Sequence, residues 1–422
     1  MRLVVVGNGM AAGRAMEELF AQAPGRYDVT VFGAEPRFNY NRIMLSPVLS
    51  GETAFADILI HDEAWYDRHG VTLHRGREIV AIDRAAQTVA TRDGLVVPYD
   101  TLLIATGSSP FVPALPGSGL PEVRVYRDLD DVLAMQEAAR RGGRAVVIGG
   151  GLLGLEAAAG LAMRGMHVTV VHLMATLLDR QLNPEAGLIL QQTLEARGIE
   201  VRCCASTAAI LGTDRVEGVR FSDGSEIPAD LVVMAVGVRP NAALAKTSGL
   251  VVNRGVLVDD ALQTSDPSVL ALGECVEHRD QCYGLVAPLY DMAKVVAARL
   301  AGDETAVYEG SVTATKLKVT GIDLFSAGDF TSGEGRDEIV VRDPARQVYR
   351  RLVLREGRLL GAVLFGDTED GAWFFELIQN HANVSGLRDG LIFGRAFADP
   401  AALALLTPAL APAAARDQRK AA

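Results

Sequence analysis

The sequence predicts an α/β chain in which one parallel-sheet domain is inserted in another and a small α+β domain follows. Three observations carry that prediction. Residues 145–163 run from a β-branched strand through the cluster Gly149-x-Gly151-x-x-Gly154 into an apolar helical stretch. Residues 3–20 repeat the order, with Gly7 and Gly9 in the turn and Ala12 in the third glycine's place. Beyond residue 308, several short strands precede one helix.

The strand–turn–helix context gives these glycines a physical meaning. The first permits the tight turn and the second lets a pyrophosphate approach the backbone. The third lets helix and strand pack closely, so that the helix N-terminus faces the negative charge. Both domains therefore read as Rossmann-like and dinucleotide-binding. Residues 1–115 and 241–305 are expected to form the first domain, 116–240 the inserted one and 306–400 the α+β domain. Residues 401–422, rich in Ala, Leu and Pro before turning charged, read as a loosely held tail.

Composition narrows the rest. A chain of 422 residues, 49% of them hydrophobic, can bury two or three cores. A formal net charge of −11 argues against a nucleic-acid or anionic-membrane partner. The four cysteines, Cys203, Cys204, Cys275 and Cys282, show neither CxxC nor zinc spacing, so no redox disulfide, iron–sulfur or other metal site is expected. On a strand, adjacent Cys203 and Cys204 would face opposite ways. All four read as structural thiols of a reducing compartment. A strand begins almost at once, leaving no room for a signal peptide, and no apolar run reaches the roughly 18 residues of a membrane span. The expected location is cytoplasmic.

In chain order, the strand at residues 28–32 ends near Glu35, about where a ribose-binding carboxylate follows the glycines. The N-terminal position of this unit favours FAD. Arg42, in the stretch YNRIMLS, is either a phosphate or flavin contact, since a planar guanidinium suits bidentate oxyanion binding, or a surface salt bridge. Residues 71–97 read as a small β insertion. A buried strand then ends in ATG, where Thr106 and Gly107 let the backbone approach a ligand. Residues 110–121, rich in Pro and Gly, form a crossing between domains.

In the inserted domain the strand at residues 168–171 ends at His172, where an NAD-specific protein carries Asp or Glu for the ribose 2′-hydroxyl. His172 tolerates a 2′-phosphate, or attracts one when protonated, so NADH and NADPH both stay open. Glu156 is either a dipole-stabilised helix charge or a residue reaching the nicotinamide. The strand at 231–236 runs into Gly237-Val238-Arg239-Pro240-Asn241, where the chain leaves this domain and Gly237 joins the cofactor-binding set. Further on, Gly273-Glu274 fits a sugar-like chain such as the ribitol of FAD. Ala287, in GLVAP, opens a helix whose N-terminus would face the flavin N1/O2 edge and stabilise its anionic reduced form.

These motifs, in this order over residues 1–400, resemble the flavoprotein reductases with two dinucleotide-binding domains. More narrowly, GNGMAAG, VFGAEPRFNYNRIMLS, VVIGGGLLGLEAA, LGEC with GLVAP, and TKLKVTGID…GDTEDG resemble two relatives. One is the N-terminal flavoprotein region of bacterial NAD(P)H nitrite reductase large subunits; the other is the electron-transfer subunit of assimilatory nitrate reductases. The resemblance implies FAD on Gly7, Gly9, Ala12, Glu35, Arg42, Gly273 and Glu274, and NADH or NADPH on Gly149, Gly151, Gly154 and Glu156. It implies a diaphorase that passes electrons from the nucleotide through FAD to a separate protein, a nitrate or nitrite reductase catalytic subunit or an iron–sulfur protein.

Full-length nitrite reductase large subunits continue into cysteine-rich iron–sulfur and sirohaem regions. The sequence here holds no counterpart, so the electron-entry half alone is expected. The Arg42 region also lacks the peroxidatic or disulfide-forming cysteine of some flavin reductases. Two other readings stand beside this one. The first is a ferredoxin or rubredoxin reductase of an oxygenase system, whose relatives carry a Lys- and Pro-containing version of the Arg42 region. The second is a non-catalytic nucleotide-binding subunit. By exclusion, the C-terminal domain is the candidate partner surface.

Overall fold

The computed structural model describes residues 1–319, 321–404 and 406, and the chain divides into two compact units. Of the expected tail, residues 401–404 and 406 are helical, and 405 and 407–422 lie outside the described residues.

Unit 1 comprises Met1–Ala114, Pro121–Gly142 and Val233–Ser311. Its centre is a five-stranded parallel sheet in the order Val269–Ala271, Thr101–Ile104, Arg2–Val6, Asp28–Gly33, Thr72–Arg75. The chain builds outward from Arg2–Val6 to one edge, then returns to build the other. Such a reversal opens a crevice at the carboxyl ends of the strands, beside the central one. Leu3, Val4, Val5 and Val6 are all buried, in a core shared with Ala15, Leu19 and Val296 on helices and with Ile79, Ile82 and Val89 on strands. The Met10–Gln22 helix buries Met10, Ala12, Ala15, Met16 and Leu19 at helical spacing and packs along the Val286–Ala301 helix.

Three expectations about this unit change. Thr72–Arg75 pairs in parallel with Asp28–Gly33 and so belongs to the main sheet. Only Ile79–Asp83, Thr88–Thr91 and Val96–Pro98 form a separate antiparallel sheet. Residues 121–142 group with unit 1 rather than with the inserted segment. Their Leu129–Arg140 helix is tied there by Gln136, whose amide donates to the Val48 carbonyl at 2.7 Å, and by the Arg37–Asp130 ion pair at 2.5 Å. Residues 233–240 return as well, since Val238–Pro240 pairs antiparallel with Ser108–Pro110.

Unit 2 comprises Leu115–Leu120, Gly143–Val232 and the chain from Val312 onward. Arg144–Ile148, His167–Val171 and Glu200–Arg202 run parallel. Cys203 and Cys204 lie beyond the last of these strands, and Cys204 takes a left-handed backbone (φ 54°), so the opposite-face geometry of a strand does not apply. The C-terminal sheet is antiparallel, in the order Ala314–Val319, Ile322–Gly328, Arg358–Phe365, Val348–Arg355, Asp337–Asp343. The Gly371–Gln379 helix covers it over a core that includes Phe325, Leu352, Phe374 and Leu377. Ile322–Gly328 is held between Ala314–Val319 and Arg358–Phe365. Within this unit Asn183 donates to the Tyr349 hydroxyl at 2.9 Å, and Arg342 pairs with Glu185. Among the described residues no helix is long and apolar enough to cross a membrane.

The Leu129–Arg140 helix starts with a capping box in which the side chains of Asp128 and Asp131 serve each other's backbone amides. Burial, reinforced by Asp128, pushes the Asp131 carboxyl up to about 6. A raised pKa means the folded chain holds the extra proton. This contribution is therefore complete below the ordinary carboxylate range and is lost as pH climbs through 6. Asp131→Asn should flatten the pH dependence of stability between about pH 4 and 7 and stabilise at pH 7 by about 1–2 kcal/mol, since the group is half-buried. Urea melts of both proteins across that range check it.

Candidate functional site

In unit 1 the Gly7 amide donates to the Phe32 carbonyl at 2.8 Å, which closes the turn at the end of the central strand. Its φ is +118°, and a β-carbon there would lie 2.7 Å from the Ala105 carbonyl carbon and nearer still to its oxygen. Only glycine fits. Gly9 then starts the Met10–Gln22 helix with no side-chain cap and no acidic residue in the first turn, and the space where its β-carbon would stand is open. The unpartnered first-turn amides make an anion cradle on that open side. Gly273 (φ +92°) comes to the same place, with the Ala11 methyl 3.3 Å from where its β-carbon would be. Ala12 is fully buried, and the close approach falls one residue later: a β-carbon on Gly13 would run into the amide of Asn39. Asn39 in turn donates to the Gly9 carbonyl at 3.3 Å.

A chain of charges rims this crevice. Glu35 accepts from the Tyr40 hydroxyl at 2.8 Å and pairs with Arg42. Burial pushes the Tyr40 hydroxyl well above its ordinary pKa, so it stays a donor. Arg42 also donates to the Arg127 carbonyl at 3.0 Å, and the Arg127 guanidinium pairs with Glu274 at 2.5 Å. Ser108 adds a hydrogen bond to Glu274 at 2.8 Å. Arg42 forms a salt bridge that is half-buried rather than on the surface. Arg127 was missed; its one sequence signal is a lone arginine just before the helix cap Asp128. Beside Glu35 an open depression of about 390 Å³ is lined by Pro36, Leu73, His74, Arg75 and Arg77.

Thr106, Gly107 and Gly237 form a clasp. The Thr106 hydroxyl donates to the Asn241 carbonyl at 2.7 Å, and the Asn241 side chain donates back to the Thr106 carbonyl at 2.9 Å. Gly107 accepts from the Asn241 amide and Gly237 from the Phe111 amide, both at 2.9 Å. Ala287 takes no part in these hydrogen bonds. It is exposed in the first turn of Val286–Ala301, which carries no side-chain cap and no first-turn acid.

Unit 2 repeats the turn. The Gly149 amide (φ +123°) donates to the Val171 carbonyl at 2.8 Å, Gly151 faces open space, and the Leu152–Met163 helix starts without a side-chain cap or a first-turn acid. Gly154 is buried in that helix, and Glu156 is half-buried at its fifth position, past the turn where the dipole acts most. His172 is where the pattern departs. Its Nδ1 accepts the Gly150 amide at 3.1 Å, and its Nε2 lies 3.1 Å from Asp179. The ring thus carries its proton on Nε2, toward the carboxylate.

Both turns fit phosphate groups, because uncapped amides and glycines that leave room face outward in each. The thiols do not read as redox groups: burial raises the pKa of Cys203, Cys275 and Cys282, and the Cys275 thiol donates to the Leu272 carbonyl. Arg127→Ala would leave Glu274, only 13% exposed, without its cation. We expect about 2–4 kcal/mol of lost stability and a lower flavin content. Denaturant melts and the ratio of flavin to protein absorbance read both.

Comparison with known proteins agrees with the two-turn architecture. Residues 1–302 match the pyridine nucleotide-disulphide oxidoreductase family, and residues 314–382 match the rubredoxin NAD+ reductase C-terminal domain. The chain is 48% identical to NAD(P)H nitrite reductase of Bacillus subtilis (strain 168), over 91% of this chain and 48% of that protein. It is 41% identical to the assimilatory nitrate reductase electron transfer subunit of the same organism, over 91% of this chain and 50% of that protein. The chain thus spans about half the length of the curated relatives it matches. A solved ferredoxin reductase for the CYP199A2 system from Rhodopseudomonas palustris superposes with a TM-score of 0.83 at 26% identity, over 95% of this chain and 98% of that one. With both glycine turns inside the matched region, the chain belongs to the pyridine nucleotide-disulphide oxidoreductase family, whose members are flavin- and NAD(P)H-dependent oxidoreductases.

Proposed function

We propose that this chain is the electron-entry unit of a nitrogen-oxyanion reductase system. It takes electrons from NADH or NADPH and delivers them to a separate redox protein, a nitrate or nitrite reductase catalytic subunit. The observation that carries this reading is the pair of uncapped glycine turns, each at the carboxyl end of a parallel strand, in one chain. The names of the two Bacillus relatives support the choice of acceptor. A cytoplasmic location belongs to the same reading and rests on the four free thiols.

In this reading Gly7, Gly9 and the first-turn amides of Met10–Gln22 hold the diphosphate of FAD. Glu35 receives the adenosine ribose, and Glu274, held by Arg127 and Ser108, receives the ribitol chain. Gly149, Gly151 and Gly154 hold the nicotinamide nucleotide, with Glu156 toward its reactive end. Bound FAD supplies the exchange between two-electron and one-electron chemistry that no side chain here offers. The protein's part is orientation: the Thr106–Asn241 clasp and the Arg42–Arg127 link keep the crevice in one geometry before any ligand arrives.

The ferredoxin reductase likeness favours a second acceptor, a small iron–sulfur protein. One experiment addresses both. The flavin-loaded protein should lose its visible flavin absorbance on mixing with NADH and should reduce ferricyanide, with stripped protein inactive. It should then reduce a nitrate reductase catalytic subunit faster than ferredoxin or rubredoxin. Protein that retains no flavin and shows no NAD(P)H-dependent dye reduction would sink the proposal. Glu35→Gln should weaken FAD retention about tenfold, because a neutral amide replaces a charge-assisted acceptor, as read by flavin loss on dilution.

A further inference from the structure

The two units solve one problem in parallel. In unit 1 the residue that follows Phe32 is Gly33, and the carboxylate comes from Glu35 in the loop beyond. In unit 2 the residue in the same place, after Val171, is His172, and the nearest carboxylate again comes from the loop, as Asp179. Neither strand ends on an acid, yet each has one beside its glycine turn.

The geometry around His172 leaves it little freedom. Nδ1 is taken by the Gly150 amide and Nε2 by Asp179, so the ring cannot offer a proton to a phosphate without releasing one of them. Gly150 is held from its other side too, since its carbonyl accepts the Leu178 amide at 3.0 Å. Leu177 and Leu178 are fully buried, and Leu178 adopts a left-handed backbone (φ 50°), a costly conformation for a branched residue. The loop is therefore pinned, with Asp179 partly exposed at its end. Among the described residues Asp179 pairs with no Lys or Arg. The neighbouring Arg180 is exposed and points to the one rival reading.

We infer that Asp179, positioned by His172, replaces the missing strand-end acid, accepts the adenosine ribose 2′-hydroxyl and selects NADH over NADPH. The end of this strand is where the fold reads that hydroxyl. A 2′-phosphate would meet a carboxylate paired with no Lys or Arg among the described residues, and like charges brought together repel. The inference rests on the second glycine turn being the nicotinamide-nucleotide site.

Binding to the flavin-loaded protein, measured by calorimetry with ADP-ribose and its 2′-phosphorylated form, tests this without turnover. The wild type should prefer ADP-ribose by at least about tenfold. Asp179→Asn should bring the two ligands within about threefold of each other with flavin content unchanged. His172→Asn should narrow the gap partway, because its Oδ1 can keep the Gly150 bond while the shorter side chain holds Asp179 less firmly. Equal or tighter binding of the phosphorylated ligand by the wild type overturns the inference, most directly if Arg180→Ala then abolishes it. An unchanged ratio in Asp179→Asn overturns it as well. If neither ligand binds, the site reading beneath it has failed, whereas binding without discrimination defeats the role of Asp179 alone.

Discussion

At residue 7 there is no room for a single methyl group. A β-carbon there would press into the Ala105 carbonyl, because Val6 and Ile104 are register partners in adjacent parallel strands and the turn lies flat across both ends. The arrangement of unit 1 depends on that close approach. With the turn held down, the Met10–Gln22 helix starts at the carboxyl end of the central strand, Gly273 can reach Ala11, and the ends of three neighbouring strands meet around one crevice. A side chain at residue 7 would force the strands apart and cost the left-handed backbone as well.

Charge completes what packing begins. Glu35, Arg42, Arg127 and Glu274 follow one another along the crevice, and none is more than partly exposed. A half-buried charge is tolerable only when paired, so each of the four holds its neighbour in place. The same logic explains Arg42, whose partners are the Glu35 carboxylate and the Arg127 carbonyl. In unit 2 a neutral ring does this work: His172 ties the glycine turn to Asp179 through two hydrogen bonds.

Much of this was legible in the chain. Gly7, Gly9, Gly149, Gly151 and Gly154 stand where their spacing put them, because a strand–turn–helix is local and its chemistry lies within a few residues. Less local features were not legible. Thr72–Arg75 is too short to show a periodicity, and its place in the main sheet comes only from pairing with Asp28–Gly33. Ile322–Gly328 is assembled by antiparallel partners on both sides. Arg127 lies 147 positions from the Glu274 it holds. The sequence also put the third-glycine requirement at Ala12, whereas the tight contact is at Gly13, set by Asn39 from another loop.

Short-range spacing was enough to predict the α/β class, the two glycine turns and the family, since each rests on local patterns that backbone geometry enforces. The tertiary structure alone decided which side chains stand beside those turns. It ties Thr106 and Gly237 into a clasp, pairs Arg127 with Glu274, and sets Asp179 against His172 beside the second turn. Those choices depend on strand register and loop packing over long separations, and no local pattern carries that information.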